Sequence, residues 1–351
     1  MTKQQRDAGF SILELMMAMA LLLIVSAIAT AALMQMTSSQ MTIWNRTEMH
    51  SGIRGATELL QQEVGQAGRI NFPGTVTLAQ AVNPIGGVAP AAQVTCDPGT
   101  PLTGAAAVTV SSTAAGNATT GMWATAGPPA SYIMLTSLDG DNSESIRVGA
   151  VSATQITACF TKPHASGTVI SPLGGFATGI VPNTGMLNGS TPSVLKLYGD
   201  INSDGKMMYV EYTCDPMPLG VTTPTAVPPG TGNLYRNVVA WDAAPATKPA
   251  TVNAQILLSN LQTNPGGAAC FTYQPTAMMV QGTPFTFVLD VAVTLTVQTE
   301  QVDPVTRAFQ TETKALLNVS PRNVFNAWTL ASAGYTDRIQ STPTSVTLLL
   351  P

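Results

Sequence analysis

The stretch Phe10–Met34, FSILELMMAMALLLIVSAIATAALM, is apolar except for serine, threonine and one charge, Glu14. At 1.5 Å per residue, a helical run of this length crosses a hydrocarbon core of about 30 Å. Residues 1–9, MTKQQRDAG, are polar and carry Lys3 and Arg6. Cations before the span favour a cytoplasmic amino terminus and an exported remainder. An ordinary secretory signal fits poorly, because the polar-to-apolar junction is abrupt and Gly9 precedes the apolar run. A plain signal anchor explains the span but not Glu14. An ionisable group there costs about 2.5–3.5 kcal/mol on insertion scales and calls for a partner.

Cleavage after Gly9 would create that partner. The new amino group of Phe10 would lie one helical turn from Glu14, within reach of the carboxylate of a neighbouring copy. The segment Gly9-Phe10-Ser11-Ile12-Leu13-Glu14-Leu15 behind a basic leader resembles the class III signal of type IV pilins and type II secretion pseudopilins. The resemblance implies that a prepilin peptidase cuts between Gly9 and Phe10 and methylates the Phe10 amine. It also implies that Glu14 pairs with that amine in an assembly.

The remainder reads as an exported head. Only 10% of residues are charged and the net charge is −4, against roughly 25% charged residues in an average soluble chain. With 45% apolar residues the chain has the means to bury a core and is not disordered in type. It offers no basic surface for nucleic acid. Cys96, Cys159, Cys214 and Cys270 are widely spaced with no histidine pairs nearby. They suit one or two disulfides in an oxidising compartment, and all three full pairings stay open.

Residues 35–70 lack proline, and Ile53, Leu60, Val64 and Ala67 form one apolar stripe. The helix is predicted to continue to about Ile70, roughly 90 Å in all, with a bend or melted turn at Gly52 and Gly55. The sequence then turns to strands, and the clearest is Phe285–Thr299, where apolar residues alternate. Further strands are expected at 132–138, 145–151, 155–160, 194–198, 207–213, 234–239, 254–258, 269–273 and 309–319. The fold class that follows is α+β: one long helix whose second half packs on an antiparallel sheet. Four segments are expected: leader 1–9, membrane and assembly helix 10–34, exported half-helix 35–70, and β-rich head 71–351.

Downstream pieces extend the resemblance. Gly199-Asp200-Ile201-Asn202-Ser203-Asp204-Gly205, Val210-Glu211-Tyr212, Leu234-Tyr235-Arg236, Phe271-Thr272-Tyr273 and Pro321-Arg322-Asn323 occur in the order seen in PilW-type minor pilins. The helix ending Gln66-Ala67-Gly68-Arg69 is similar too, whereas the tail after Asn323 departs from the pattern. The resemblance implies a minor pilin, held in the inner membrane with a periplasmic head and then passed into a pilus. Its partners would be other pilins, the prepilin peptidase, the inner-membrane assembly platform and the membrane. A minor pseudopilin of the J type, or a membrane-anchored binding protein or adhesin, remains an alternative.

Asp200, Asn202 and Asp204, with Glu211 after them, match a calcium-loop template. The flanks read as strands rather than EF-hand helices, so an Asx-rich hairpin turn competes with calcium. Asp139–Glu144 is a second, weaker acidic loop. No catalytic motif is present, and neither His50 nor His164 has an acid or nucleophile motif beside it in sequence, so no enzymatic activity is expected. Trp44, Trp123, Trp241 and Trp328 read mainly as packing anchors.

Overall fold

The computed structural model describes residues 11–69, 76–82, 106–109, 133–138, 140–151, 155–158, 160, 162–173, 175–204, 206–216, 231–280, 282–334 and 339–351. The first element, α1, is a single helix of 55 residues, Ile12–Gln66. Ser11 starts it as an N-cap, its Oγ accepting the Leu13 N–H at 3.3 Å. Gly52 and Gly55 stay helical, and the helix stops at Gln66 rather than near Ile70. The expected bend is absent because Ile53, Ala56 and Leu60 are buried around these glycines. That burial outweighs a cost of about 1 kcal/mol per glycine.

The chain divides into two units. The first comprises the chain up to Gly52 together with residues 298–312. Here a hairpin end lies along the helix: Arg46 donates to Gln310 and His50 meets Glu312. Asp303, only 1% exposed, organises the loop. Its Oδ1 accepts the N–H groups of Val305 at 2.8 Å and Thr306 at 2.9 Å. The Arg307 N–H, at φ 56°, returns to the Asp303 carbonyl at 2.7 Å. These backbone donors, together with Thr42 and Arg46, hold the Asp303 carboxyl below its ordinary range.

The second unit, residues 53–297 and 313–351, holds two antiparallel sheets where one was expected. The smaller is built from β1 (Val76–Thr77), β2 (Ala106–Thr109), β3 (Ile133–Leu138), β4 (Ser145–Val151), β5 (Gln155–Ala158) and β6 (Val169–Leu173), in the order β1-β6-β3-β4-β5-β2. After β7 (Gly175–Phe176) come β8 (Val194–Gly199), β9 (Met208–Asp215), β10 (Thr231–Ala240), β11 (Gln255–Gln262), β12 (Phe271–Val280), β13 (Thr283–Gln298) and β14 (Thr311–Val319). These form the larger sheet, ordered β12-β13-β11-β10-β9-β8, with β14 also on β13. Helix α2 (Arg322–Ser332), β15 (Ile339–Gln340, parallel to β7) and α3 (Thr344–Leu349) complete the chain.

Strands β8 and β9 are buried on both faces, which their alternation makes legible. On one face Tyr212 meets the buried side of α1. On the other, Tyr198 and Tyr209 join a core with Leu78, Ile156 and Ile170 of the smaller sheet's region and Val346 and Leu349 of α3. A second cluster sets Val324, Ala327 and Ala331 of α2 against Val280, Phe285 and Phe287. The stripe Ile53, Leu60, Val64 and Ala67 is fully buried, each at 1% exposure or less.

Candidate functional site

The amino-terminal part of α1 is a surface without a cover. Among the described residues it is the one helix long and apolar enough to cross a membrane, and none of its apolar window is buried. Leu13, Met17, Leu21, Ile24 and Ile28 are all more than half exposed. Its hydroxyls are matched internally: Thr30 donates to the Ser26 carbonyl at 2.8 Å and Thr37 to that of Leu33 at 2.9 Å. Such back-bonding lets polar residues sit in an apolar setting at little cost. Glu14 lies exposed in the first turn. It stands three residues after the N-cap Ser11, the spacing of a capping box, a local signal that sequence reading missed. Gly9 and Phe10 lie outside the described residues.

The other half of α1 ends in a knot of polar contacts made by Tyr212, Arg236, Asp200 and Asn323. Glu63, 3% exposed, faces the sheet from the helix. Arg236 of β10 grips both of its oxygens, with Nε–Oε2 at 3.3 Å, and the Tyr212 hydroxyl donates to the same carboxylate. Burial pulls the Arg236 guanidinium down, but the Glu63 hydrogen bond and charge override it and hold it above its ordinary value. Burial, followed by the Glu63 charge and hydrogen bond, pushes the Tyr212 phenol far up. One turn beyond, Arg69 pairs with Asp200 at 3.0 Å. Asn323 of α2 caps the helix, its Nδ2 donating to the carbonyls of Gln66 at 3.2 Å and Gly68 at 2.9 Å. Tyr273 donates its hydroxyl to the Thr191 and Val194 carbonyls, both at 2.9 Å.

Three glycines make this approach sterically open. Gly68, at φ 79°, donates its N–H to the Tyr198 carbonyl at 2.8 Å. A Cβ at Gly179 or Gly199 would fall 2.4 Å and 2.6 Å from the Gly68 nitrogen. Side chains here would therefore push the helix end off the sheet.

The loop expected to offer calcium ligands is tied up otherwise. Asp200 Oδ1 accepts the Asp204 N–H at 3.1 Å, and Asp204 Oδ1 accepts that of Lys206 at 2.9 Å. This is Asx-turn bonding, and Gly205 lies outside the described residues. Glu211 is not brought to the loop. It sits opposite Lys196 in the β8–β9 register, three rungs and about 10 Å from the strand ends. Its carboxylate accepts from the Tyr209 hydroxyl at 2.8 Å and from Lys248 at 3.2 Å, with Lys196 at 3.9 Å. Among the described residues no three acidic, histidine or cysteine side chains converge to hold a metal. Asp200, Asn202, Asp204 and Glu211 thus do not form the expected cluster.

Those lysines hold the carboxyl-terminal helix instead. Lys248 donates to the main-chain oxygens of Leu349 at 2.6 Å and Pro351 at 2.9 Å, while Lys196 donates to those of Asn188 and Leu350. Burial lowers the Lys196 ammonium against the pull of Glu211. In the second acidic loop, Glu144 accepts from the Lys162 N–H at 3.2 Å and meets His164 at 2.9 Å. Asp139 lies outside the described residues. Both histidines therefore face acids that are distant in sequence, His164 on Glu144 and His50 on Glu312. Cys214 and Cys270 form a disulfide spanning 56 positions, and Cys96 and Cys159 lie outside the described residues. Trp241 is buried and Trp328 half-buried, but Trp44 is 72% exposed, so it is no packing anchor within the chain. Trp123 is not among the described residues.

Residues 4–30 match a family model described as the prokaryotic N-terminal methylation motif. No curated protein and no solved structure matches the chain. The motif at the head of a long apolar helix, with an antiparallel sheet behind it, defines the type IV pilin fold and a pilin-like precursor. Such a motif implies processing by a prepilin peptidase and assembly with other pilins.

Proposed function

We propose that the chain is a PilW-type minor pilin, a non-enzymatic subunit that takes part in priming pilus growth or in display at the pilus tip. The observation that carries this reading is the bare amino-terminal half of α1, apolar all round with Glu14 in its first turn. Among the described residues the head buries its own cores while this helix is left uncovered, and a bilayer or neighbouring helices would cover it. Removal of residues 1–9 generates the Phe10 ammonium, and Glu14 of an adjacent subunit neutralises it in the apolar fibre core, where an unpaired charge is costly. Pairing across copies sets the axial register of docking. The clamp at Glu63, Arg69 and Asn323 joins this handle to the displayed head. The added six-stranded sheet enlarges that head, which favours the pilus over a pseudopilus. Mass spectrometry of sheared pili tests the reading. We expect a mature chain beginning at methylated Phe10, and loss of incorporation in Glu14→Ala with the unincorporated protein still folded. Mature protein beginning at Met1, or normal incorporation of the variant, would refute it.

A further inference from the structure

A second uncovered surface lies on the first unit, well past the apolar span. The 303–312 turn rests on α1 between Thr42 and His50: Thr42 acts on Asp303, Arg46 meets Gln310 and His50 meets Glu312. This level runs from about 12 Å to about 24 Å beyond Met34. The polar layer of a leaflet is about 5–8 Å deep, so a bilayer around the span ends short of it. Val302, Val305 and Phe309 are nevertheless 44%, 67% and 37% exposed beside the helix, and Ile43 and Trp44 are 64% and 72% exposed on it. Successive helical residues are about 100° apart, so Trp44 leaves the helix on the side opposite Thr42 and the turn, with Ile43 on the flank between. Apolar groups therefore leave this one level in several directions. The polar stretch before it is suited to dry packing, because Thr37, Ser38 and Thr47 donate to the carbonyls four residues earlier at 2.9, 2.9 and 2.8 Å.

The pairing register identifies what covers it. When Glu14 of one subunit takes the Phe10 amine of the next, the two parallel helices are offset by about 6 Å along their axes. The offset accumulates, so subunits about four to eight pairings farther along set their own apolar residues 10–34 beside Thr42–His50. Those subunits lie toward the carboxyl-terminal end of α1, away from the membrane. We propose that the Thr42–His50 level, with Ile43, Trp44, Val302, Val305 and Phe309, docks the apolar amino-terminal helices of other pilin-like subunits. The chain then sits beneath other subunits in the fibre and is not its outermost member, because an outermost subunit has no such helices above it. The proposal rests on the Glu14–Phe10 pairing of the proposed function and adds to it the subunit's place in the stack.

The test uses assembled pili carrying the full chain with a photo-crosslinking benzophenone amino acid in place of Val305, Trp44, Ile24 or Leu187. Pili are illuminated and sheared, and the joined peptides are identified by mass spectrometry. Leu187, 84% exposed on the head, serves as the control surface. We expect Val305 and Trp44 to join peptides from the amino-terminal apolar helix of another subunit, as Ile24 does, and Leu187 to yield none of these. Val305 and Trp44 adducts confined to the same chain, or made to the heads of other subunits, overturn the proposal. If Ile24 still joins other helices in that case, the assembly reading stands and the subunit is outermost. Absence of Ile24 adducts from incorporated subunits removes both.

Discussion

The guanidinium of Arg236 on β10 reaches across both carboxylate oxygens of Glu63, 173 residues earlier on α1. Neither group has water enough to solvate it alone: their side chains are 17% and 3% exposed. Breaking a buried pair from one side leaves an uncompensated charge, at a cost of about 3–5 kcal/mol. Arg236→Ala should therefore lower the unfolding free energy of the full chain by about that amount, read from denaturant titration. A Glu63→Gln/Arg236→Met double variant should recover part of it, because no isolated charge remains. Equal loss in the single and double variants would contradict this account.

Glycine positions near the helix separate sharply. Gly179→Ala places a methyl group against the backbone of Gly68, which cannot give way as a side chain can, so the loss should reach or exceed about 3 kcal/mol. Gly55→Ala meets nothing within 4 Å inside a helix and should stabilise by about 0.5–1 kcal/mol. Thermal unfolding of the two variants side by side reads the opposite signs.

Alkali should act through the buried phenols. Tyr198, Tyr209, Tyr212 and Tyr273 are all pushed above their ordinary value of 10.0, first by burial. A raised folded pKa means stability is fully present below pH 10 and is lost as pH rises beyond it, because the unfolded chain releases these protons first. The melting temperature should hold between neutrality and about pH 9.5 and fall above about pH 10. Tyrosinate absorbance from these four should develop together with unfolding.

The Cys214–Cys270 bridge stitches the end of β9 to the start of β12 across 56 positions. Loop-closure entropy for that length is worth about 4 kcal/mol. A Cys214→Ala/Cys270→Ala variant should unfold at correspondingly lower denaturant, with a somewhat steeper transition because the unlinked unfolded chain exposes more surface.

Much of the head was legible from alternation. Strand β4 falls at Ser145–Val151 as read, and β13 at Thr283–Gln298 against an expected 285–299. The strand expected at 269–273 runs on through Pro275 to Val280, because an edge strand with a register shift at Gln274/Pro275 loses no needed donor there. The smaller sheet is hard to see where small residues and prolines, as in Val169–Leu173, blur the pattern. Helix α2 had a usable signal, Val324, Ala327 and Ala331 at helical spacing, hidden by small side chains in a tail with no expected structure. The amino-terminal handle is readable because its chemistry is contiguous. The clamp is not, because Glu63 looks like any solvated helix charge until partners 149 and 173 residues away arrive.

The cap on α1 also sets a timetable. Asn323 finishes a helix end made 255 residues earlier, and in a chain that becomes free to fold in sequence order nearly the whole head must be available before that bond forms. Contacts of such sequence separation are late and slow to close. Until then, the end of the helix lacks its last two donors. A chain halted before residue 323 would therefore hold a formed handle attached to an unfinished head, recognisable by its open helix end.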